Sequence, residues 1–217
     1  MIIEDLGVMP YRQAWDRQET CHADVLAGGE ERMLLVEHPP VITFGRRPGV
    51  SQHLIASDDQ LARLGVEVVQ SDRGGDITFH GPGQLVVYPI VRLADHHLSV
   101  SGYVRALERG VIGALNEIGI RAREESGAIG VWTDGGSKIC ALGVRIRRGV
   151  TLHGIALNVT TNLDYFQLIV PCGLVGRSVT SIALELGERA PTMDWMKNIV
   201  PRHLVQSLAQ PATLPVQ

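Results

Sequence analysis

The sequence predicts a single α/β domain in which helices flank a mixed β-sheet. The chain has 217 residues, of which 45% are hydrophobic and 20% charged, and this composition is sufficient for one sizeable core. Apolar, β-branched segments come in runs rather than in strict alternation with helices, which argues against a simple series of βαβ units. We therefore expect residues 1–217 to form one domain, with a core at about 30–185 and a C-terminal helix and loose tail at about 190–217.

The N-terminal half combines helical and extended segments with recognisable boundary residues. Pro10 fits the first position of a helix that runs towards Gly28. The segment "RMLLVEHPPVITFG" predicts two short strands around a Pro-Pro turn. Ser57 fits the N-cap of a short helix that has aspartates in its first turn and ends at Gly65. "VEVVQ" and "QLVVYPIVRL" then predict strands on either side of a glycine-rich stretch.

The C-terminal half begins with a helix and continues with a β-rich region. Apolar residues recur at helical spacing from Val100 to Ile118. The strands predicted after this helix are "AIGVWT", "KICALGVRI", "TLHGIALNV" and "YFQLIV". Two short helices are expected in "GRSVTSIALELG" and "TMDWMKNIV", the second of which ends before Pro201. The tail "QPATLPVQ" is expected to be loose.

Charge and cysteine content narrow the functional class. A net charge of −3 does not indicate a nucleic-acid partner. The sequence contains no apolar run long enough to cross a bilayer and no signal peptide, so we expect a cytoplasmic protein without a membrane partner. The three cysteines form no CxxC pair, and the histidines form no HExxH motif. Neither a disulfide framework nor a metal site is therefore expected.

The sequence partly matches several well-known motifs but has none of them in full. "GPGQLV" has valine in place of the third glycine of the dinucleotide fingerprint, and a strand rather than a helix follows it. "GGSKI" does not have the spacing of a P-loop, and the chain lacks a GxSxG elbow. These observations argue against a nucleotide-binding Rossmann site, a P-loop and a serine hydrolase.

The stretch "RGGDITFHGPGQL", residues 73–85, is the strongest candidate for a ligand site. Four glycines in thirteen residues allow a ligand or another segment to lie directly against the backbone. The alternative is an irregular hairpin in which the glycines only provide positive φ angles. Because Arg73, Asp76, Thr78 and His80 accompany the glycines, we favour the ligand site.

Two further residues are candidates for covalent chemistry. Cys172, in "IVPCGL", follows an apolar run and a proline, where a thiol at a tight corner could act as a nucleophile. Lys138, in "GGSKICALG", lies at a loop-to-strand junction, where it could act as a base or stabilise a thiolate. By themselves, these segments are more typical of a small buried cysteine and a solvated lysine, and Cys21 and Cys140 fit a core better than Cys172 does.

Taken together, the segments resemble the octanoyl-[acyl-carrier-protein]:protein N-octanoyltransferases. The family pattern reads RGGxxTxHGPGQL, then KIxxxGVR, HGxALN and VPCG followed by VTS. This chain has "RGGDITFHGPGQL", "KICALGVR", "HGIALN" and "VPCGLVGRSVTS" in the same order, with "EHPPVITFGR" upstream. The resemblance spans roughly Leu34 to Ser181. It implies the fold of the biotin and lipoate protein ligases, and one catalytic domain.

The resemblance also implies a two-step acyl transfer that needs no cofactor. The thiol of Cys172 would take the octanoyl group from octanoyl-acyl carrier protein, and a lysine of a lipoyl domain would then accept it as an amide. The acceptors implied are the lipoyl domains of 2-oxoacid dehydrogenases and the glycine cleavage H protein. Lys138 matches the partner lysine that lowers the pKa of the cysteine.

Three segments match the family's substrate-binding positions. They are Arg73, Gly74, Gly75, Asp76, Ile77, Thr78, Phe79 and His80; then Ala141, Leu142 and Gly143; and finally Gly154, Ile155 and Ala156. Cys140 departs from the family, which often has a small residue such as alanine there. Because Cys140 is two positions after Lys138 in a predicted strand, we expect both side chains on one face.

Some roles stay open at this level. The oxyanion could be stabilised by the amides of Gly143, Gly74 or Gly75, or by His80. The arginines of "GRRPG" and "RIRRG" could attract acidic partners or could be ordinary surface charges. The alternative enzyme is an ATP-dependent lipoate or biotin ligase of the same fold. A catalytically silent acyl-binding module and an unrelated cysteine hydrolase are further alternatives.

Overall fold

The computed structural model describes residues 1–170 and 178–210. Ten strands and five α-helices lie in these ranges. The strands are β1 (Ile2–Val8), β2 (Arg32–Glu37), β3 (Val41–Phe44), β4 (Glu67–Gln70), β5 (Thr78–His80), β6 (Gln84–Ile90), β7 (Ala122–Glu125), β8 (Ala128–Thr133), β9 (Lys138–Arg147) and β10 (Val150–Asn158). The helices are α1 (Tyr11–Leu26), α2 (Asp58–Leu64), α3 (Val100–Glu117), α4 (Ile182–Leu186) and α5 (Met193–Ala209).

Two mixed sheets form the framework. The main sheet has seven strands in the order β1-β2-β6-β10-β9-β8-β7, and only the β1–β2 pair is parallel. The small sheet has the order β4-β3-β5, with β3 parallel to β4 and antiparallel to β5. This arrangement confirms the predicted α/β class with a mixed sheet.

Helices cover both faces of the main sheet. On one face α1 places Ala14, Cys21 and Val25 against the central strands. On the other face α3 and α5 pack together and bury the larger apolar cluster, which includes Leu107 and Leu204. Strands β6 and β10 are buried along their whole length, because helices or loops cover them on both sides.

The predicted helix boundaries have a local explanation. The hydroxyl of Ser57 accepts a hydrogen bond from the amide of Gln60 at 3.3 Å, and Gly65 ends α2 with a φ of +63°. The hydroxyl of Ser99 accepts from the amide of Gly102 at 3.0 Å at the start of α3. Pro10 occupies the N-cap of α1 rather than its first helical position.

Among four individual elements, two expectations are confirmed, one is wrong and one strand was not predicted. The two strands predicted around the Pro-Pro turn are present as β2 and β3, and they belong to different sheets. "YFQLIV" is mostly part of a 3₁₀-helix at Leu163–Leu168, because Tyr165 stacks on Phe79 with ring centres 4.7 Å apart. The short helix expected in "GRSVTSIALELG" is present as α4, Ile182–Leu186. Edge strand β1 was not predicted, since acidic residues interrupt its apolar pattern.

Helix α5 continues through Pro201 instead of ending before it. A proline inside a helix removes one backbone hydrogen bond and costs about 3 kcal/mol. Val200, Leu204 and Leu208 of α5 are fully buried in the same apolar cluster as α3, and this packing outweighs the local cost. Most of the expected loose tail, residues 211–217, lies outside the described part of the chain.

Candidate active site

A cleft of about 530 Å³ lies over strands β6, β9 and β10 of the main sheet. The stretch of residues 73–80 and the start of α1 cover it. The cleft therefore lies where the sequence analysis expected a ligand.

Backbone hydrogen bonds hold the glycine-rich stretch over the sheet. The amides of Gly45, Arg46 and Arg47 donate to the carbonyl oxygens of Asp76, Arg73 and Gly75 at 3.1, 3.1 and 3.2 Å. On the other side, the amide of Gly74 donates to the carbonyl of Val144 at 2.9 Å. Because this amide is already bonded, it is not available to an oxyanion.

Glycines, which have no side chain, allow the stretch of residues 73–80 to approach the neighbouring strands closely. A Cβ at Gly45 would lie 2.3 Å from the carbonyl oxygen of Gly75, and one at Gly143 would lie 2.9 Å from that of Gly74. Gly75 itself has a φ of +91°, which L residues rarely adopt. The glycines thus place the stretch against both β9 and the end of β3.

Arg73 and Asp76 are buried in the stretch that covers the cleft. The guanidinium of Arg73 donates to the hydroxyl and the carbonyl oxygen of Thr43 at 3.0 and 2.7 Å. The carboxylate of Asp76 accepts from His53 at 2.7 Å and from Arg47 at 3.2 Å. Burial raises the pKa of Asp76, but these hydrogen bonds and that from the Ile77 amide outweigh it and hold the pKa below its usual value. The carboxylate therefore stays charged and anchors the loop.

One end of the cleft is lined by neutral rings. His80 stacks on Tyr11 with ring centres 5.9 Å apart, and its Nδ1 lies 2.8 Å from the side-chain oxygen of Gln84. Burial, together with nearby His38 and Arg73, holds the pKa of His80 well below its ordinary value. The ring is therefore uncharged at neutral pH, and this end of the cleft suits an apolar ligand.

His153 completes this end of the cleft and was not among the predicted site residues. Its Nε2 lies 2.6 Å from a carboxylate oxygen of Asp72, and its φ is +58°. Its Nδ1 is buried and has no hydrogen-bond partner among residues 1–170 and 178–210. Burial lowers the pKa of His153 despite the bond to Asp72. The sequence signal was present, because His153 opens the "HGIALN" motif.

Lys138 lies at the opposite end, at the start of β9. Its Nζ donates to the carbonyl oxygen of Ile129 at 3.2 Å and lies 4.6 Å from the centre of the Trp132 ring. Its own backbone amide donates to the carbonyl oxygen of Ser178 at 2.9 Å. The chain therefore returns beside Lys138 directly after residues 171–177.

The expectation that Lys138 and Cys140 share a face is wrong. Trp132 pairs with Lys138 while Val131 pairs with Cys140, so β9 has one extra residue at this point. This irregularity changes the alternation of side chains along the strand. Lys138 and Ala141 line the cleft, whereas Cys140 is packed in the core beneath α3 and α5.

Most of the predicted substrate-binding residues lie together at the cleft. Those that line it are Arg73, Gly75, Asp76, Ile77, Thr78, His80, Ala141, Leu142, Gly143, Gly154, Ile155 and Ala156, together with Lys138. Gly74 lines an adjoining groove. Phe79 does not line the cleft, because strand alternation directs it into the core of the small sheet. Cys172 lies outside the described residues.

Five cleft residues were not predicted from the sequence. They are Tyr11, Val86, Tyr88, Ile129 and His153. Tyr11 reaches the cleft from the first turn of α1, more than sixty positions before the glycine-rich stretch. Val86 and Tyr88 belong to a segment that predicts only a buried strand. Tyr11 and Ile129 lie outside the family motifs, whereas His153 lies within one.

The arginine clusters are largely paired within the protein. Arg47 contacts Asp76, Arg145 contacts Asp72 and Arg147 contacts Glu19.

Across residues 1–170 and 178–210, no group of acidic, histidine and cysteine side chains could hold a metal ion. None of the helices in those two ranges is both long and apolar enough to span a membrane.

Comparison with known proteins places this fold and cleft in one class. The model of the lipoyl protein ligase A/B catalytic domain matches residues 10–205. A lipoate-protein ligase A bound with ATP superposes with a TM-score of 0.80 at 17% identity, covering 95% of this chain and 85% of that one. A biotin protein ligase from Aquifex aeolicus, in complex with biotin and ATP, gives a TM-score of 0.58 at 14% identity over 95% and 70% of the two chains. These two likenesses confirm the expected ligase-like fold.

Sequence similarity is closer to another branch of the same class. An octanoyltransferase from Chloroflexus aurantiacus is 48% identical over 196 residues, which cover 89% of this chain and 87% of that protein. The chain therefore belongs to the octanoyltransferase family, within the lipoyl protein ligase A/B catalytic domains.

Proposed function

We propose that this chain moves an octanoyl group from octanoyl-acyl carrier protein to the ε-amine of a lysine on a lipoyl domain. One observation carries the proposal. In a chain 48% identical to an octanoyltransferase, the same cleft is lined by Lys138 and by a set of neutral rings. Such a lining favours an acyl chain, because each buried CH₂ contributes about 0.8 kcal/mol.

The proposed reaction proceeds through an acyl-enzyme at Cys172. The thiolate of Cys172 attacks the thioester carbonyl carbon, and the carrier protein's thiol leaves as the new thioester forms. The lysine amine of the lipoyl domain then attacks this thioester. It loses a proton, an amide forms and the thiol of Cys172 is released. Both steps proceed without ATP, since a thioester is already activated.

The chain on both sides of residues 171–177 supports Cys172 as the nucleophile. The amide of Val170 donates to the carbonyl oxygen of His53 at 2.7 Å, and the ring of His53 contacts Asp76 of the cleft. On the other side, Val179 lines a small pocket together with Lys138 and Ala141. The described residues that flank Cys172 in the sequence therefore contact residues at or beside the cleft.

The proposed role of Lys138 changes between the two steps. Its positive charge first stabilises the thiolate of Cys172. As the carrier protein's sulfur leaves, Lys138 gives it a proton, because the negative charge on Cys172 that kept Lys138 protonated is gone once Cys172 is acylated. The neutral amine of Lys138 can then take the proton from the incoming lysine. A base is needed there, because a lysine amine has an ordinary pKa near ~10.4 and arrives protonated.

The proposed acyl-binding residues are the cleft-lining members of the predicted set. Ala141 and Ala156 form a cross-strand pair with small side chains that leave room for the chain. The proposed acceptors are the lipoyl domains of 2-oxoacid dehydrogenases and the glycine cleavage H protein. For the oxyanion, Gly75 remains the proposed backbone donor.

Intact mass spectrometry tests the proposal. The protein is incubated with octanoyl-acyl carrier protein in the absence of ATP. We expect one octanoyl adduct that hydroxylamine removes and that Cys172→Ser abolishes. Adding a lipoyl domain should then discharge the adduct and modify a single lysine of that domain.

Different outcomes would identify the other functions. Octanoylation of a lipoyl domain from free octanoate only when ATP is present would show a ligase. An adduct released to water, with an unmodified lipoyl domain, would show a hydrolase. Octanoyl-acyl carrier protein that binds without any adduct would show a binding module.

A further inference from the structure

The peptide unit between Ile129 and Gly130 lies between two oppositely charged side chains. Its carbonyl oxygen accepts the hydrogen bond from Nζ of Lys138 at 3.2 Å. Its N–H donates to Oε1 of Glu108 at 3.0 Å. The peptide dipole therefore has its negative end towards the ammonium and its positive end towards the carboxylate, so each contact strengthens the other.

Glu108 is an unusual residue for its position. It belongs to α3 and is 6% exposed, whereas the other buried residues of this helix, such as Leu107 and Val111, are apolar or uncharged. Burial raises the pKa of its carboxyl, and the hydrogen bond from Gly130 opposes this. A buried carboxylate costs free energy unless it is bonded, and Glu108 is bonded to the Gly130 N–H, which an apolar side chain would leave without this acceptor. Packing does not explain why a carboxylate occupies this site.

We propose that Glu108 is a positioning residue for Lys138. By accepting the Gly130 N–H, Glu108 fixes the orientation of the 129–130 peptide. That peptide's carbonyl oxygen in turn holds the Lys138 ammonium at the mouth of the cleft. The importance of Glu108 for catalysis rests on the proposed function, in which Lys138 acts beside Cys172.

Gly130 supports the same arrangement. Its φ of +137° is in a region that L side chains rarely adopt. A Cβ at this position would lie 3.0 Å from Cε of Lys138 and 3.0 Å from the carbonyl oxygen of Cys140. Only glycine therefore lets the peptide approach Lys138 closely while its N–H points at Glu108.

Lys138 provides its own spectroscopic reporter. Its Nζ lies 4.6 Å from the centre of the Trp132 ring, so the ring current shifts the signals of its ε-CH₂ group. The sequence contains two lysines, Lys138 and Lys197. Lys197 pairs with Asp5 at 3.1 Å and serves as the internal reference. Protein labelled with ¹³C-lysine will therefore give two ε signals, which Lys197→Arg assigns.

The experiment compares two substitutions of Glu108 in this labelled protein. Glu108→Leu removes the acceptor, and we expect the Lys138 ε-proton signals to move towards random-coil positions while those of Lys197 stay unchanged. Glu108→Gln keeps an acceptor oxygen and should restore most of the ring-current shift. Glu117→Gln, on the same helix but paired with Arg202, is the matched control and should leave both signals unchanged.

Unchanged Lys138 signals in a folded Glu108→Leu protein would overturn the inference. This readout requires no acyl transfer, so it is independent of the proposed function. Thermal unfolding monitors folding, and Glu108→Met, which also removes the acceptor, replaces the leucine variant if that variant does not fold.

The same variants are then tested for octanoyl-adduct formation. We expect Glu108→Leu to slow acylation by on the order of tenfold, the lower range for a hydrogen bond to a charged group. In a Lys138→Ala background, Glu108→Leu should cause no further loss. An equal loss in both backgrounds would show that Glu108 acts independently of Lys138. Absence of acylation by the unsubstituted protein would instead contradict the proposed function.

Discussion

At the scale of single residues, burial separates two cysteines from the chemistry of the cleft. Cys21 is 1% exposed on α1, and Cys140 is fully buried in β9. Burial raises the pKa of both thiols, that of Cys140 strongly, and nearby positive charges only partly oppose it. A thiol with a raised pKa holds little thiolate at neutral pH and reacts slowly.

We therefore expect Cys172→Ser to remain unmodified by iodoacetamide in the native state. In urea the same variant should gain two adducts, one each at Cys21 and Cys140. Peptide mass spectrometry of alkylated samples measures both outcomes. Rapid modification of Cys140 in the folded variant would contradict the burial argument.

Ala141 allows a test of the acyl path at one residue. It is half-buried, lines the cleft and pairs across the strands with Ala156. Ala141→Leu adds three carbons to the cleft, so we expect acylation by an octanoyl thioester to fall about tenfold or more. A butyryl thioester should lose less, because a larger side chain typically costs 1–3 kcal/mol only where it overlaps the ligand.

The competition between octanoyl and butyryl thioesters measures this change. Ala62→Leu, on the exposed side of α2, is the matched control. Equal losses for both chain lengths would show that the acyl chain lies elsewhere.

At the scale of elements, helices α3 and α5 approach closely through a glycine. A Cβ at Gly110 would lie 2.8 Å from Cδ2 of Leu204 and 3.0 Å from its Cα, which is backbone and has little room to move. At Gly113, one turn later, the nearest atoms belong only to the ring of His203. The two glycines thus experience different constraints on one helix face.

Gly110→Ala should lower the free energy of unfolding by about 1–3 kcal/mol through overpacking. This loss should exceed the gain of up to about 1 kcal/mol in helix propensity. Gly113→Ala is the control and should cost less, since the His203 ring can shift. Urea denaturation of the two variants compares them, and a more stable Gly110→Ala would mean that the helices separate easily.

At the scale of the whole molecule, buried histidines lie between the two sheets. His38, at the end of β2, contacts the carbonyl oxygen of Met9 at 2.7 Å and the hydroxyl of Tyr88 at 2.8 Å. The His80 ring of the small sheet lies 5.8 Å away. Burial, only partly opposed by the bond to Met9, lowers the pKa of His38 to about 4. The junction of the sheets is therefore built around uncharged rings.

This arrangement predicts how stability depends on pH. In the unfolded chain His38 takes up a proton near pH ~6.5, whereas the folded protein resists it down to about pH 4. The unfolded state thus binds more protons between these values, and stability falls as the pH is lowered through that window. His38 contributes up to about 3 kcal/mol of this loss.

Urea unfolding at a series of pH values tests the prediction. Between pH ~6.5 and ~4, His38→Gln should show a smaller decrease in stability than the unsubstituted protein. Its stability at neutral pH should also be lower, because the bonds to Met9 and Tyr88 change. The same pH dependence in both proteins would place the titrating groups elsewhere.

The sequence by itself determined the local features of this protein. The fold class and most elements follow from patterns among neighbouring residues. These patterns are the cap at Ser57, the helical spacing from Val100 and the runs of apolar strand residues. The family motifs then singled out residues that line the cleft or its adjoining groove. The exceptions are Phe79, which lies in the core of the small sheet, and Cys172, which lies outside the described residues.

Only the tertiary structure decided how distant segments meet. It assigned β2 and β3 to different sheets, carried α5 through Pro201 and directed Lys138 and Cys140 to opposite faces of β9. It also brought Glu108 to the peptide that holds Lys138. The physical reason is common to these cases. Burial against distant residues and one irregular strand pairing outweigh local preference, and neither leaves a periodic signal in the sequence.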